Sequence, residues 1–86
     1  MALQEDFENA VARSKQLPNQ SNDNLLKLYS LYKQATEGDV NIEKPSNPFD
    51  FVGNAKYAAW EKLKGKSKEE AMAEYIQTVN NLAANS

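Results

Sequence analysis

The run Leu25-Leu26-Lys27-Leu28-Tyr29-Ser30-Leu31-Tyr32-Lys33-Gln34-Ala35-Thr36-Glu37-Gly38-Asp39 repeats apolar and aromatic side chains at Leu25, Leu28, Tyr29, Tyr32 and Ala35. Steps of three and four put them on one side of a helix. The helix is predicted to begin near Asp23 and to end at Glu37, because Gly38 suits the residue after a helix and Asp39 continues the turn. Upstream, Asn19-Gln20-Ser21-Asn22-Asp23-Asn24 supplies turn formers and several N-cap candidates. Pro18 separates them from a first segment, Gln4 to Gln16, whose stripe is Leu3, Phe7, Ala10 and Val11, with Leu17 just beyond.

Downstream, the eleven residues from Gly38 to Pro48 hold two prolines and read as an ordered crossover loop. A third helix is predicted from Asp50, its cap, to Lys64, with Val52, Ala55, Ala59 and Leu63 as the buried row and Gly65 as the stop. Ser67-Lys68-Glu69-Glu70 is a capping box, hydroxyl and carboxylate three apart. It opens a fourth helix with Met72, Tyr75, Ile76, Val79 and Leu82 inward, and the Asn85-Ser86 ending is expected to fray. Four amphipathic segments in 86 residues make an all-α chain, expected to form one domain over 1–86.

Composition narrows function. A formal charge of −2 gives no long-range field toward nucleic acid or an anionic membrane, so any anion site is local. Nine of the ten basic residues are Lys, and Lys56, Lys62, Lys64, Lys66 and Lys68 cluster in a way that reads mostly as a solvated helix end. With no Cys there is neither disulfide framework nor thiol nucleophile, which fits a cytoplasmic protein. No signal peptide is visible, and no stretch approaches the ~20 apolar residues that would span a bilayer.

The chemistry of catalysis is missing too. There is no His to exchange a proton near neutrality, and none of Ser14, Ser21, Ser30, Ser46, Ser67 and Ser86 sits in a nucleophile elbow. The carboxylates Glu5, Asp6 and Glu8, and Glu69, Glu70 and Glu74, lie within a first turn or two, where the helix dipole explains them without a metal. What remains is aromatic and cationic. Tyr29, Tyr32 and Lys33 share one helix face, and Lys56 and Tyr57 come a turn before Trp60. Packed side by side, these helices could flank one anion with Lys33 and Lys56 and a tyrosine hydroxyl. Read singly, the tyrosines are core residues with wet hydroxyls rather than ligand platforms, and the lysines are solvated.

Tyr29 to Asn41 followed by Pro45 resembles the signature of the acyl-CoA-binding protein family, also called diazepam-binding inhibitor. The likeness continues through Lys56, Ala59-Trp60, Leu63-Lys64-Gly65, Ser67, Glu69, Ala71-Met72 and Tyr75-Ile76, and covers Phe7 to Leu82. It implies an up-down-down-up four-helix bundle and a non-enzymatic cytoplasmic carrier and pool former for medium- to long-chain fatty acyl-CoA. That ligand would be met without a cofactor or metal. The expected protein is a monomer that meets acyl-CoA-using enzymes transiently, with no nucleic acid and no stable membrane insertion. The resemblance implies that Tyr29, Lys33 and Lys56 hold the 3′-phosphate of CoA, that Tyr32 stacks on adenine and that Tyr75 closes part of the site. It places Lys15 and Val11 beside the ligand, Leu25 and Leu26 near the acyl channel, and Val52 where relatives often carry a ligand-side Lys. Ser14 stands at a usually apolar position, which predicts looser packing of the first helix on the fourth. A receptor-directed regulator, suggested by the family's other name, and a thioesterase are the competing readings.

Overall fold

Helix boundaries follow local chemistry. In the computed structural model, which describes residues 2–84, the chain folds as α1 (Leu3–Ser14), α2 (Asn22–Glu37), α3 (Phe51–Glu61) and α4 (Lys68–Ala84). The expected fraying of Asn85 and Ser86 lies outside the described residues. Ser21 caps α2 by accepting the Asn24 amide, and Asp50 caps α3 by accepting that of Gly53 at 3.0 Å. The capping box of α4 closes both ways, the Glu70 amide to Ser67 Oγ at 3.0 Å and the Ser67 amide to Glu70 Oε1 at 3.4 Å. Gly38, at φ 84°, turns the chain out of α2 while its amide bonds the Gln34 carbonyl. Two helices stop short of their predicted ends. After Ser14 and after Glu61 the chain tightens into i→i+3 turns, Gln16 to Arg13 and Lys64 to Glu61, which satisfy the last carbonyls.

Pairwise contacts set the directions of the helices. Phe7 meets Tyr32 while Ser14 and Leu25 line one hollow, so α1 and α2 are antiparallel. Leu25 and Leu26 stand beside Phe51 and Val52, and Gly38 beside Trp60, so α3 runs with α2. Gln34 reaches the Lys66 carbonyl and Lys27 faces Asn81, so α4 runs against α2. Phe7 touches Tyr75 and Arg13 bonds Asn80, so α1 and α4 run together. The order is up-down-down-up. Backbone packing joins α2 to α4, α1 to α4 and α2 to α3, leaving α3 against α2 alone among the described residues.

The core is narrow. Phe7, Ala10, Leu28, Leu31, Ala35, Ala71, Tyr75 and Val79 form one buried cluster, with Val11, Leu63, Met72, Ile76 and Leu82 packed against it. Two of the predicted stripes rotate. On α2 the buried residues are Leu28, Ser30, Leu31, Gln34 and Ala35, whereas Leu25 and Tyr32 are exposed. On α3 the buried residue is Trp60, and Val52 is 64% exposed rather than part of a buried row. Trp60 donates its indole N–H to the Gly38 carbonyl at 2.9 Å. Beside it the Asp39 carboxylate accepts the Gly65 amide at 2.8 Å and Gln34 Nε2 at 2.9 Å, while Gln34 Nε2 also reaches the Lys66 carbonyl at 2.7 Å. These bonds tie the end of α2 to the α3–α4 turn.

At Ser14, where the sequence predicts looser packing, the hydroxyl joins a relay between α4 and α1. Tyr75 donates to Ser14 Oγ at 3.0 Å, and Ser14 donates to the Val11 carbonyl at 2.7 Å, linking α4 to α1. Burial, opposed by that bond, raises the Tyr75 phenol above its ordinary pKa.

Ser14→Ala leaves the buried phenol unpaired and is expected to cost about 1–3 kcal/mol, whereas adding Tyr75→Phe should recover most of it. Chemical denaturation of the single and double variants checks this, with a coupling energy near zero as the contrary result. The Asp39 carboxyl is held below its ordinary value of 3.8, first by the Gly65 amide and then by Gln34. A depressed folded pKa adds stability above the unfolded value, and that stability drains as pH falls below it. The thermal midpoint of the wild type should therefore fall more steeply below about pH 4 than that of Asp39→Asn, and parallel slopes would remove Asp39 from the acid response.

Candidate functional site

Rotation of the α2 stripe leaves this helix with two apolar faces. One enters the core, and the other, carrying Leu25, Tyr29 and Tyr32, borders two open hollows. Between α2 and α3 lies a cavity of about 350 Å³ lined by Asn22, Leu25, Leu26, Tyr29, Phe51, Val52, Ala55 and Lys56. Between α1, α2 and α4 lies another of about 390 Å³, lined by Val11, Ser14, Lys15, Leu25, Leu28, Tyr29, Tyr32 and Tyr75. Leu25 and Tyr29 border both, so the two hollows adjoin along α2, the two halves of a trough. Each half lies in the size range of small-ligand sites.

The floor of the second hollow is aromatic. Phe7 stacks with Tyr32 at 6.0 Å between ring centroids and meets Tyr75 edge-on at 5.2 Å, while Tyr32 and Tyr75 are 6.5 Å apart. Tyr32 remains 41% exposed, a ring with one supported side and one open to a ligand. The walls are aliphatic, and Leu25, 52% exposed, leaves its apolar surface uncovered. An apolar trough that small side chains do not fill is a place for an apolar ligand.

Cations stand along the trough. Lys56 Nζ lies 5.1 Å from the Tyr29 ring centroid, so the α2–α3 contact brings an ammonium to a phenol. Lys33, one turn beyond Tyr29, has its ammonium 5.3 Å from the Trp60 ring and bonded to the Glu37 carboxylate. That bond raises the Lys33 amine above its ordinary pKa and, with a contact from Asn41 Nδ2 at 3.4 Å, lowers the Glu37 carboxyl. Lys15 lies across the second hollow from Tyr29.

Of the ten residues singled out from sequence, nine line the trough: Val11, Lys15, Leu25, Leu26, Tyr29, Tyr32, Val52, Lys56 and Tyr75. Lys33 does not: it lies one turn beyond Tyr29 on α2, against Trp60 and Glu37. Sequence reasoning left out Asn22, Phe51, Ala55, Ser14 and Leu28 as lining residues. Phe51 and Ala55 are four apart and flank Val52 and Lys56, so helical spacing could have found them. Ser14 carried no such signal. Among the described residues no group of three or more His, Cys, Asp or Glu side chains is placed to hold a metal ion, and no helix is long and apolar enough to cross a membrane.

Comparisons with known proteins bear on the family and the fold. The family model described as acyl CoA binding protein matches residues 4–79. Acyl-CoA-binding domain-containing protein 1 of Oryza sativa subsp. japonica is 53% identical over 83 residues, covering 95% of this chain and 90% of the relative. The acyl-CoA-binding protein of Ricinus communis is 49% identical over 83 residues, covering 95% and 91%. The crystal structure of Oryza sativa acyl-CoA-binding protein 2 superposes with a TM-score of 0.93 at 46% identity over 98% of this chain and 93% of that one. With its four helices, its trough over α2 and these likenesses along nearly its whole length, the chain belongs to the acyl-CoA-binding protein family.

Proposed function

We propose that the chain, acting over residues 1–86 as one domain, binds medium- to long-chain fatty acyl-CoA esters and carries them without chemistry on the thioester. The observation that carries this reading is the shared border of the two hollows. Leu25 and Tyr29 belong to both, so an apolar trough for a hydrocarbon tail runs into an edge furnished with Tyr29, Tyr32 and Lys56. Each methylene removed from water contributes ~0.8 kcal/mol, so a tail of about twelve carbons offers roughly 10 kcal/mol before ordering costs. Apolar burial alone accepts any lipid. Selection of the nucleotide end then falls to Tyr29, Lys33 and Lys56 at the 3′-phosphate, with Tyr32 as the adenine platform and Lys15 at the opposite wall. Val11, Leu26 and Val52 extend the apolar lining, and Tyr75 supports Tyr32 from below.

An inert lining suits a carrier. With no Cys and no His in the chain, no thiolate or imidazole of its own can attack or hydrolyse a bound thioester. We read the protein as a cytoplasmic monomer that buffers acyl-CoA and delivers it to the enzymes that consume it, with no resident cofactor.

Calorimetry with palmitoyl-CoA, palmitate and free CoA tests the division of labour. The ester should bind at least about a hundredfold more tightly than either part, and equal affinity for palmitate and the ester would sink the headgroup half of the reading. Lys33→Ala should weaken palmitoyl-CoA binding about tenfold and Tyr29→Phe about threefold, with thermal midpoints close to wild type. Unchanged affinity in both variants would move the phosphate elsewhere.

A further inference from the structure

Glu37 is a carboxylate in a place that helix stability does not recommend. It is the final residue of α2, where the dipole presents its negative end and a carboxylate is disfavoured. Its ion pair with Lys33 runs in the weaker order, lysine preceding glutamate by four. The carboxylate nevertheless has two partners, the Lys33 ammonium on one side and Asn41 Nδ2 at 3.4 Å on the other. The ammonium is steadied in turn by the Trp60 ring at 5.3 Å, and Trp60 is buried and anchored to Gly38. A carboxylate oxygen thus sits on Lys33 where an incoming anion would have to bind.

Resting on the reading above that Lys33 contacts the phosphate, we propose that Glu37 is an internal competitor anion, and thereby a specificity-determining residue. In the free protein Glu37 occupies Lys33, and a ligand reaches this lysine only by displacing it. A phosphomonoester can do so, since it brings up to two charges and three strong acceptor oxygens against a single carboxylate. A headgroup without that phosphate leaves the ion pair closed and draws nothing from Lys33. The displaced carboxylate has somewhere to go, because the Glu37 side chain is 38% exposed and can turn to water. Glu37 therefore lowers affinity for ligands that bring a phosphomonoester to Lys33, leaves the others unchanged, and so sets the margin between the two.

The test is titration calorimetry with dodecanoyl-CoA and its 3′-dephospho analogue on wild type, Glu37→Gln, Lys33→Ala and the double variant. Glu37→Gln should tighten dodecanoyl-CoA about threefold or more, leave the dephospho analogue unchanged, and lose its effect when Lys33 is alanine. An unchanged affinity for dodecanoyl-CoA, an equal gain for both ligands, or a gain that persists without Lys33 would each overturn the competitor role. Those results leave the Lys33 reading intact, whereas full affinity of Lys33→Ala for dodecanoyl-CoA would overturn that reading and the competitor role with it. Because Glu37 lies at the surface, its Gln variant should unfold at the wild-type temperature, which separates anion competition from damage to the fold.

Discussion

Everything on the α3 side of the molecule hangs from a few bonds around Gly38. Among the described residues helix α3 packs on α2 and on no other helix. Its position comes from the Trp60 indole on the Gly38 carbonyl and from the Asp39 carboxylate, which ties the Gly65 amide to Gln34. These contacts pin the far end of α3 beside the end of α2 and force the two helices to run in the same direction. Lys56, one turn before Trp60, is thereby carried to the face of Tyr29. The crossover is held at its other end by Asn54, whose Nδ2 bonds the Asn47 carbonyl at 3.0 Å.

The same economy of contacts keeps the trough open. The α1 and α2 backbones do not pack closely on each other among the described residues, and both lean on α4. The gap is floored by Phe7, Tyr32 and Tyr75 instead of being closed by interlocking aliphatic side chains. A chain of 86 residues has a thin core, so apolar area left on Leu25 and Val52 is stability withheld from the fold. A ligand that covers this area returns that stabilisation on binding, through its preference for the folded state.

Much of this was legible in the sequence. Gly38, Asp50 and the Ser67–Glu70 box marked helix limits to within a residue or so, because caps are local chemistry. Burial was less legible on helices with apolar residues all round. Leu25, Leu28, Tyr29, Tyr32 and Ala35 form a good stripe, but Leu28 and Ala35 also belong with Leu31 to a second, and packing on α4 decides which one is buried. Val52 misled for a related reason. Its spacing from Ala55 and Ala59 is helical, yet α3 has one neighbour and Trp60 takes the contact. Asp39, Gln34 and Ser14 were least visible, since each acts through a partner at least twenty-five residues away, Gly65, Lys66 and Tyr75 respectively. The trough residues were found because a resemblance to a family supplied long-range pairing that periodicity lacks.

The open face of α2, and not another surface of the bundle, is the proposed seat of the ligand. Amide and side-chain NMR shifts recorded through a titration with dodecanoyl-CoA distinguish the two. The large changes should fall at Lys15, Leu25, Tyr29, Tyr32, Val52 and Lys56, with little movement on the outer α1–α4 face around Asn9 and Arg13. Saturable changes centred on that outer face, with the trough resonances unmoved, would contradict it.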